Sequence, residues 1–410
     1  MLKLSLLTQF FPPETAAGAN RTGALAAALA ARHALRVHTL APGYPEPALY
    51  DGVDWAAADA ARGFPVQRGP AFKPHDRSLV KRAWREIGMS RALVDAAARE
   101  WRAAGERPDV VLVSTPSMFL APFAAGWARR TGARFVWDVR DLTWRYARES
   151  APTSGVQRFL LGGLEAFLMH EMKRADLAVA ATAGLGRVLV REGVPESRVH
   201  TLANGVPRAW LARFANAAGA PAVRRASLRS RVSYVGLMGY NHGIGVLVEA
   251  AAKLAHVDFV LVGDGPEREG IAASIAERGL RNVTLAPYAT TPEALEAHYR
   301  ASDVLVSHTR STPILDDIVF PAKSYEYFAT GVPVVYAGTG WAADVLREQD
   351  LACVVPPQDP AALAEGIART LAEPQAAAAR AARARATVER EWCREDQLAR
   401  LVEELERRFA

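Results

Sequence analysis

Short apolar runs alternate along this chain with longer stretches whose apolar positions recur at helical spacing. That alternation marks βαβ units, in which a buried parallel strand reads as a continuous apolar run and the returning helix buries one stripe. In the first half, strands are predicted near Leu4–Thr8, Arg36–Leu40, Val110–Ser114, Phe135–Asp138, Leu177–Ala180 and Val199–Leu202. A second series starts at Val232–Val235 and continues through Phe259–Val262, Val283–Ala286, Val304–Ser307, Pro333–Tyr336 and Ala352–Val355. Between them Ala212–Ser230, rich in Ala and Arg, lacks strand periodicity and reads as a connection. The expected organisation is therefore a domain over 1–211, a connection over 212–230, a second domain over 231–386 and a tail over 387–410. In the tail Val388, Trp392, Leu398, Leu401, Val402, Leu405 and Phe409 fall largely at helical spacing. The predicted class is α/β, two Rossmann-like doubly wound domains whose strand C-termini face a central cleft. The tail helix either crosses back to the first domain or caps the second.

Composition changes this picture little. A chain of 410 residues, 50% hydrophobic and 23% charged, has enough apolar material for two cores. A formal charge of +6 suits anionic small ligands, nucleic acid or an anionic membrane surface without choosing among them. Cys353 and Cys393 are the only cysteines, which excludes a disulfide framework and a Cys-based zinc site. No window approaches 18 apolar residues and the start is too short for a signal peptide, so a cytoplasmic location is expected.

The most informative stretch is Phe320-Pro321-Ala322-Lys323-Ser324-Tyr325-Glu326-Tyr327-Phe328-Ala329-Thr330-Gly331. Pro321 suits the first turn of a helix and Gly331 the position after its last. A helix start offers free backbone N–H groups and the positive end of the dipole, the ingredients of a phosphate site. Lys323 stands in the first turn and Glu326 one turn further along the same face. A cation suited to a diphosphate thus neighbours a carboxylate suited to a ribose diol. An ordinary βα unit with a solvated Lys and Glu fits the local pattern equally well.

Other loops offer weaker signals. After the first strand, Gly18 with small neighbours permits close backbone approach and Arg21 adds a fork of donors. G-x-G-x-x-G is absent there, and a tight turn with a surface Arg also fits. The glycine-rich crossover from Gly236 through Gly239 and His242 to Gly243 is a second candidate phosphate cradle. Gly263 in Val-Gly-Asp-Gly-Pro leaves room for a flat base or only satisfies a turn. In Trp137-Asp138-Val139-Arg140-Asp141, the two aspartates form either an acid/base pair or salt bridges to Arg140 and Arg145. No cluster has metal-ligand spacing.

The order of these pieces is similar to a known family. Pro12-Pro13-Glu14 with Gly18 and Arg21 is followed by Val139-Arg140-Asp141-Leu142, Asn204-Gly205-Val206, the glycine loop and Val262-Gly263-Asp264-Gly265-Pro266. Last comes Pro321-x-Lys323-x-x-Glu326-Tyr327-x-Ala329-x-Gly331-x-Pro333-Val334. Over nearly its whole length the chain resembles bacterial GT-B glycosyltransferases of family 4, above all those that build O-antigens, capsules and exopolysaccharides. The resemblance implies retaining, metal-independent transfer from a nucleotide sugar, usually UDP-linked, to a glycan or lipid-linked acceptor, with no cofactor and no nucleic-acid partner. It implies that Glu326 binds the donor ribose and that Gly18 lies near the diphosphate. Residues and resemblance together nominate Lys323, Arg21, His242 and Asp141 for catalysis. They nominate Glu326, Gly18, Gly239, Gly243, Gly263, Pro287, Ala322 and Asp317 for donor binding.

The chain departs from the family pattern at three places. Ile318 stands where the first glutamate of Glu-x7-Glu belongs, Leu237 and His242 replace the basic residues of the glycine loop, and Arg140 replaces a histidine. Lys323 and Arg21 are expected to take over the diphosphate. A nucleotide-sugar epimerase of the same architecture and a non-catalytic nucleotide-sugar-binding protein stay open as alternatives. An NAD-dependent dehydrogenase is disfavoured by the missing fingerprint. Phe72–Arg85 interleaves cations with Phe and Trp, as either a segment touching an anionic membrane or a basic solvated helix face.

Overall fold

Seven strands of the first half form one parallel sheet: β1 Lys3–Thr8, β2 Ala34–Leu40, β3 Val66–Gly69, β4 Val110–Ser114, β5 Arg134–Val139, β6 Leu177–Ala180 and β7 Val199–Thr201. Their spatial order is β3-β2-β1-β4-β5-β6-β7. Six more build a second parallel sheet: β8 Arg231–Val235, β9 Asp258–Val262, β10 Val283–Ala286, β11 Val304–His308, β12 Val334–Ala337 and β13 Cys353–Val355, in the order β10-β9-β8-β11-β12-β13. These come from a computed structural model that describes residues 1–14, 17–43, 47–70, 79–150, 155–215, 229–289 and 291–410. The chain divides into two units, Met1–Ala203 with Gln397–Ala410, and Asn204–Asp396.

In each sheet the winding direction reverses once, between β1 and β4 and between β8 and β11. Loops leaving those neighbouring strands diverge to opposite faces and leave a crevice at the strand C-termini, where ligands bind in such sheets. One strand escaped the sequence pattern. β3 reads Val-Gln-Arg-Gly and is a half-buried edge strand, so it lacks the apolar run that betrays a central one.

In the first unit, helix Ala17–Ala30 and the tail helix Arg394–Phe409 share a core with the sheet, where Leu25, Leu29, Leu398, Leu401 and Leu405 meet Leu4, Leu6 and Leu112. Helices Leu79–Ala103, Leu120–Thr131 and Gly155–Lys173 follow crossovers of the opposite direction and cover the other face, the middle one packed between its neighbours.

The boundaries differ from the composition-based ones at both ends of the second unit. The first unit closes at Ala203 rather than 211, because helix Arg208–Arg213 belongs to the second, where Trp210 and Phe214 pack edge-on against Tyr299. The tail is not one helix from 387. Helix Pro374–Glu391 ends at Trp392, which is held among Phe320, Tyr325 and Phe328, and the new helix joins the first unit only from Gln397. Of the expected connection, 216–228 lies outside the described residues.

Leu401 is fully buried where the tail helix meets the first sheet. Leu401→Ala is expected to destabilise the first unit by about 3 kcal/mol, read as a lower urea midpoint for a probe confined to that unit.

Candidate functional site

The open end of the second sheet is assembled from the loop after β8, the turn after β9 and helix Ala322–Thr330, which follows β11. Proline at its N-cap provides no side-chain acceptor, and the helix closes on Gly331 at φ 74°. Arg385 donates to the Ala329 carbonyl at its C-terminal end (2.9 Å) and to the carbonyls of Phe214 and Leu211. The amide end is thus left exposed at Ala322, while the carbonyl end is capped from within.

Lys323 is drawn inward. Its ammonium donates to the Tyr234 hydroxyl and lies 4.1 Å from that ring's centroid. The Tyr234 hydroxyl in turn donates to the Leu237 carbonyl (2.5 Å). Burial pushes the Lys323 pKa down to about 7, against the pull of Glu326. The lysine passes directly over Gly236, where a Cβ would stand 3.2 Å from its Cε. Glu326 accepts from Tyr299 (3.2 Å). Burial raises its carboxyl pKa, opposed by that hydrogen bond and by the charges of Arg394 and Lys323.

The glycines of the two loops are explained chiefly by each other. At Gly263 (φ 152°) a Cβ would sit 2.0 Å from the Gly236 oxygen, and at Gly265 (φ 144°) 2.6 Å from the Met238 oxygen. Met238 and Asp264 are further joined by a backbone hydrogen bond of 2.7 Å. Gly243 takes φ 54° and lies under the side chains of His308 and Arg310. Gly239 faces only ordinary contacts.

His242 enters this site as a neutral imidazole rather than a cation. Burial and the nearby Lys323 push its pKa down to about 3, and its Nδ1 is buried without a hydrogen-bond partner. Its carbonyl is held by His308, whose Nδ1–H donates at 2.5 Å while Nε2 accepts from the Gln358 N–H at 3.1 Å. That arrangement fixes the neutral tautomer of His308, in keeping with a pKa lowered to about 4, chiefly by burial. Arg310 supplies the cation that His242 does not. Its backbone N–H binds the Asn241 carbonyl (3.0 Å) and its guanidinium reaches Glu267 (2.9 Å).

Other nominated positions stand further out. Pro287 is exposed after edge strand β10, and Asp317 is exposed on helix Pro313–Ile318, whose buried Ile318 faces the interior. Tyr234, Tyr299, His308 and Arg310 were missed by sequence reasoning. Tyr234 and His308 lie at strand ends, Arg310 lies in a loop and Tyr299 sits in helix Pro292–Arg300, and none of them is itself a motif position that could have given a signal.

In the first unit the expected role of Arg21 needs correction. Its guanidinium is buried, donating twice to Asp138 (2.6 and 3.1 Å) and once to the Leu202 carbonyl (2.7 Å). These donors face the interior and not a ligand. Burial alone would raise the Asp138 carboxyl; Arg21 and the Ser114 hydroxyl outweigh it and hold it below the usual range. Arg140 takes the place at Gly18 instead, its Nη1 only 2.1 Å from where a Cβ would be. Asp141 accepts from Thr143 (2.8 Å), and burial pushes its pKa up. Beside these residues a cavity of about 180 Å³ opens among the loops after β1, β2 and β4, lined by Gln9, Phe10, Leu40, Arg82, Met118 and Thr143. Two buried carboxylates shape it. Glu14 accepts from the Phe11 and Gly43 N–H groups (3.2 and 2.9 Å), and Glu86 accepts from that of Met118 (2.6 Å).

Comparison with known proteins bears on both units. Residues 17–205 match the glycosyl transferase 4-like domain, and residues 229–373 match glycosyl transferases group 1. The chain is a GT-B glycosyltransferase of the family 4 type. It is 26% identical over 390 residues to the protein named as the colanic acid biosynthesis glycosyl transferase WcaI of Escherichia coli K12, covering 89% of this chain and 91% of that one. Among solved structures, HepE of Anabaena, in complex with UDP and glucose, has a TM-score of 0.69 at 16% identity, over 99% of this chain and all of that one. Sucrose-phosphate synthase of Thermosynechococcus elongatus has a TM-score of 0.71 at 20% identity, over 99% and 98%. Identities this low carry the fold alone. The GT-B glycosyltransferase built here keeps its glycine loops because they pack on each other and under Lys323.

Gly263→Ala in this enzyme is expected to lower stability by about 2–3 kcal/mol, from strain at positive φ and overpacking against the Gly236 carbonyl. A thermal unfolding scan of the variant measures it, and an unchanged midpoint contradicts the packing account.

Proposed function

We propose that the enzyme moves a hexosyl or N-acetylhexosaminyl group from a UDP-linked donor to a hydroxyl of a glycan or lipid-linked acceptor in polysaccharide synthesis, with retention and without a metal ion. The observation that carries this reading is Lys323, an ammonium held in the first turn of an uncapped helix beside a glycine loop. The relatives add support: HepE was solved with UDP and glucose, and WcaI bears the name of a colanic acid enzyme.

The donor diphosphate is assigned to the amide end at Ala322, to Lys323 and to the loop Gly239–Gly243, with His242 as a neutral donor and Arg310 as a second cation. Glu326 takes the ribose diol. As the anomeric C–O bond breaks, negative charge grows on the departing phosphate oxygen, and these donors stabilise it. The same oxygen then accepts the proton of the acceptor hydroxyl arriving on that face, which gives retention. The charge-stabilising role is assigned to these cations and to the helix amides. Gly18 keeps its expected part in donor binding and Asp141 in catalysis, while Arg140 and the first-unit cavity are assigned to the acceptor side. Gly263 contributes by holding the glycine loop; Pro287 and Asp317 are retained as outer donor contacts.

Among the described residues no helix is long and apolar enough to cross a membrane. Peripheral contact with an anionic membrane is proposed through the basic, aromatic segment ending at Arg85, of which 72–78 lies outside the described residues.

Lys323→Ala and Glu326→Ala are each expected to leave the circular dichroism unchanged while lowering donor turnover about 100-fold. Near-normal turnover in either variant removes that residue from the site. Lys323 also gives nucleotide binding a pH signature. With its pKa near 7 in the free protein and raised by a diphosphate, binding of a UDP-sugar, whose diphosphate does not itself titrate in this range, takes up close to one proton at pH 8 and almost none at pH 6. Calorimetry in buffers of different ionisation enthalpy measures the uptake, which Lys323→Met is expected to abolish.

A further inference from the structure

Arginines drawn into the first unit find carboxylates: Arg21 donates to Asp138, Arg68 to Asp59, and Arg145 to Glu165 and Glu192. Arg140, just past the end of β5, departs from that habit. Its Nε is buried with no hydrogen-bond partner, and its guanidinium forms no ion pair among the described residues. A guanidinium taken partly out of water with its donors unused costs free energy until an acceptor reaches it.

The fold gains nothing from this placement. Gly18, in the first turn of helix Ala17–Ala30, leaves the space into which Nη1 reaches, 2.1 Å from where a Cβ would stand. A cation beside that end of a helix opposes the dipole, since cations are stabilising at the carbonyl end. Arg21 adds a second repelling charge. The carboxylates that attract Arg140 are committed elsewhere. Asp138 accepts from Arg21 (2.6 Å) and Ser114 (2.7 Å). Asp141 accepts from Thr143 (2.8 Å), and burial favours its neutral form. With Arg21 cancelling Asp138 and the Asp141 anion disfavoured, the positive charge of Arg140 is left over.

That charge borders the first-unit cavity. Phe10 lies 3.5 Å from the Cβ position of Gly18 and Thr143 is bonded to Asp141, and both line the cavity. A ligand there meets a planar fork of parallel donors, the match of a carboxylate. One carboxylate balances the spare charge, whereas a dianionic phosphate would set its second charge against Asp138. The histidine of the family pattern offers no such fork, so the feature belongs to this chain. We propose that Arg140 is a specificity-determining residue that binds a sugar carboxylate, and that the acceptor entering the first-unit cavity presents a hexuronic acid. This deepens the acceptor assignment of the proposed function and rests on it.

The test is calorimetric titration of the full chain with phenyl β-glucuronide and with phenyl β-glucoside, which differ in the carboxylate. Wild type is expected to bind the glucuronide about tenfold more tightly. Arg140→Gln is expected to remove that preference, and Arg140→Lys, which keeps the charge without the fork, to retain part of it. UDP affinity and the thermal midpoint are expected to hold in Arg140→Gln, because the guanidinium serves neither the donor nor the fold. Equal or undetectable binding of the two glycosides by wild type overturns the proposal, as does a preference that Arg140→Gln preserves. Lost UDP affinity reassigns Arg140 to the donor diphosphate and a lowered midpoint reassigns it to the fold, and either overturns the proposal too. UDP-glucuronate and UDP-glucose give the second comparison. A preference for UDP-glucuronate that Arg140→Gln removes puts the carboxylate on the transferred sugar and overturns the acceptor assignment. Donor turnover, which Lys323→Ala lowers, reports the transferase reading separately from all these outcomes.

Discussion

Holding the Lys323 ammonium away from bulk water is the constraint around which the second unit's open end is built. Removing a charge from water is costly unless other groups replace its hydration. Here the replacement is partial: a tyrosine hydroxyl, a tyrosine ring face and a carboxylate one turn away. The loop after β8 must leave room for the lysine stem, which requires no side chain at Gly236. The turn after β9 must then fit against the Gly236 carbonyl, which requires none at Gly263. A single incompletely neutralised cation thus accounts for glycines in two loops. It also leaves a site short of negative charge at a helix start, which is the state a diphosphate completes.

The first unit handles charge in the opposite way. Arg21 and Asp138 satisfy each other in the interior, with Ser114 and the Leu202 carbonyl completing the set. A buried pair of this kind adds little net stability, but removing either partner strands the other. Its consequence is positional: helix Ala17–Ala30 is tied to the end of β5, and Arg140 is left as the cation nearest Gly18. Glu14 and Glu86 act similarly on loops, anchoring backbone N–H groups around a cavity rather than facing a substrate.

The two sheets and nearly all their strands were legible because central parallel strands must be apolar on both faces, and even the edge strands β7 and β10 lie in short runs that keep apolar residues. β3 does not, since an edge strand with one apolar residue leaves no such mark. The helix bearing Lys323 and Glu326 was legible from Pro321 and Gly331, whose backbone preferences act locally. The roles of Arg21 and His242 were not. A sequence shows that a cation is present, but not whether a carboxylate far along the chain already holds it, or whether burial removes its proton.

Local chemistry within the sequence determined the βα alternation, the starts and stops of the key helix and the order of motifs that marks the family, because periodicity, proline and glycine act over a few residues. Tertiary structure alone decided which glycines serve packing, which charges are neutralised within the fold and which remain for a ligand. Those outcomes depend on partners such as Tyr234 beside Lys323 and Asp138 beside Arg21, residues distant in sequence that only the sheet order brings together.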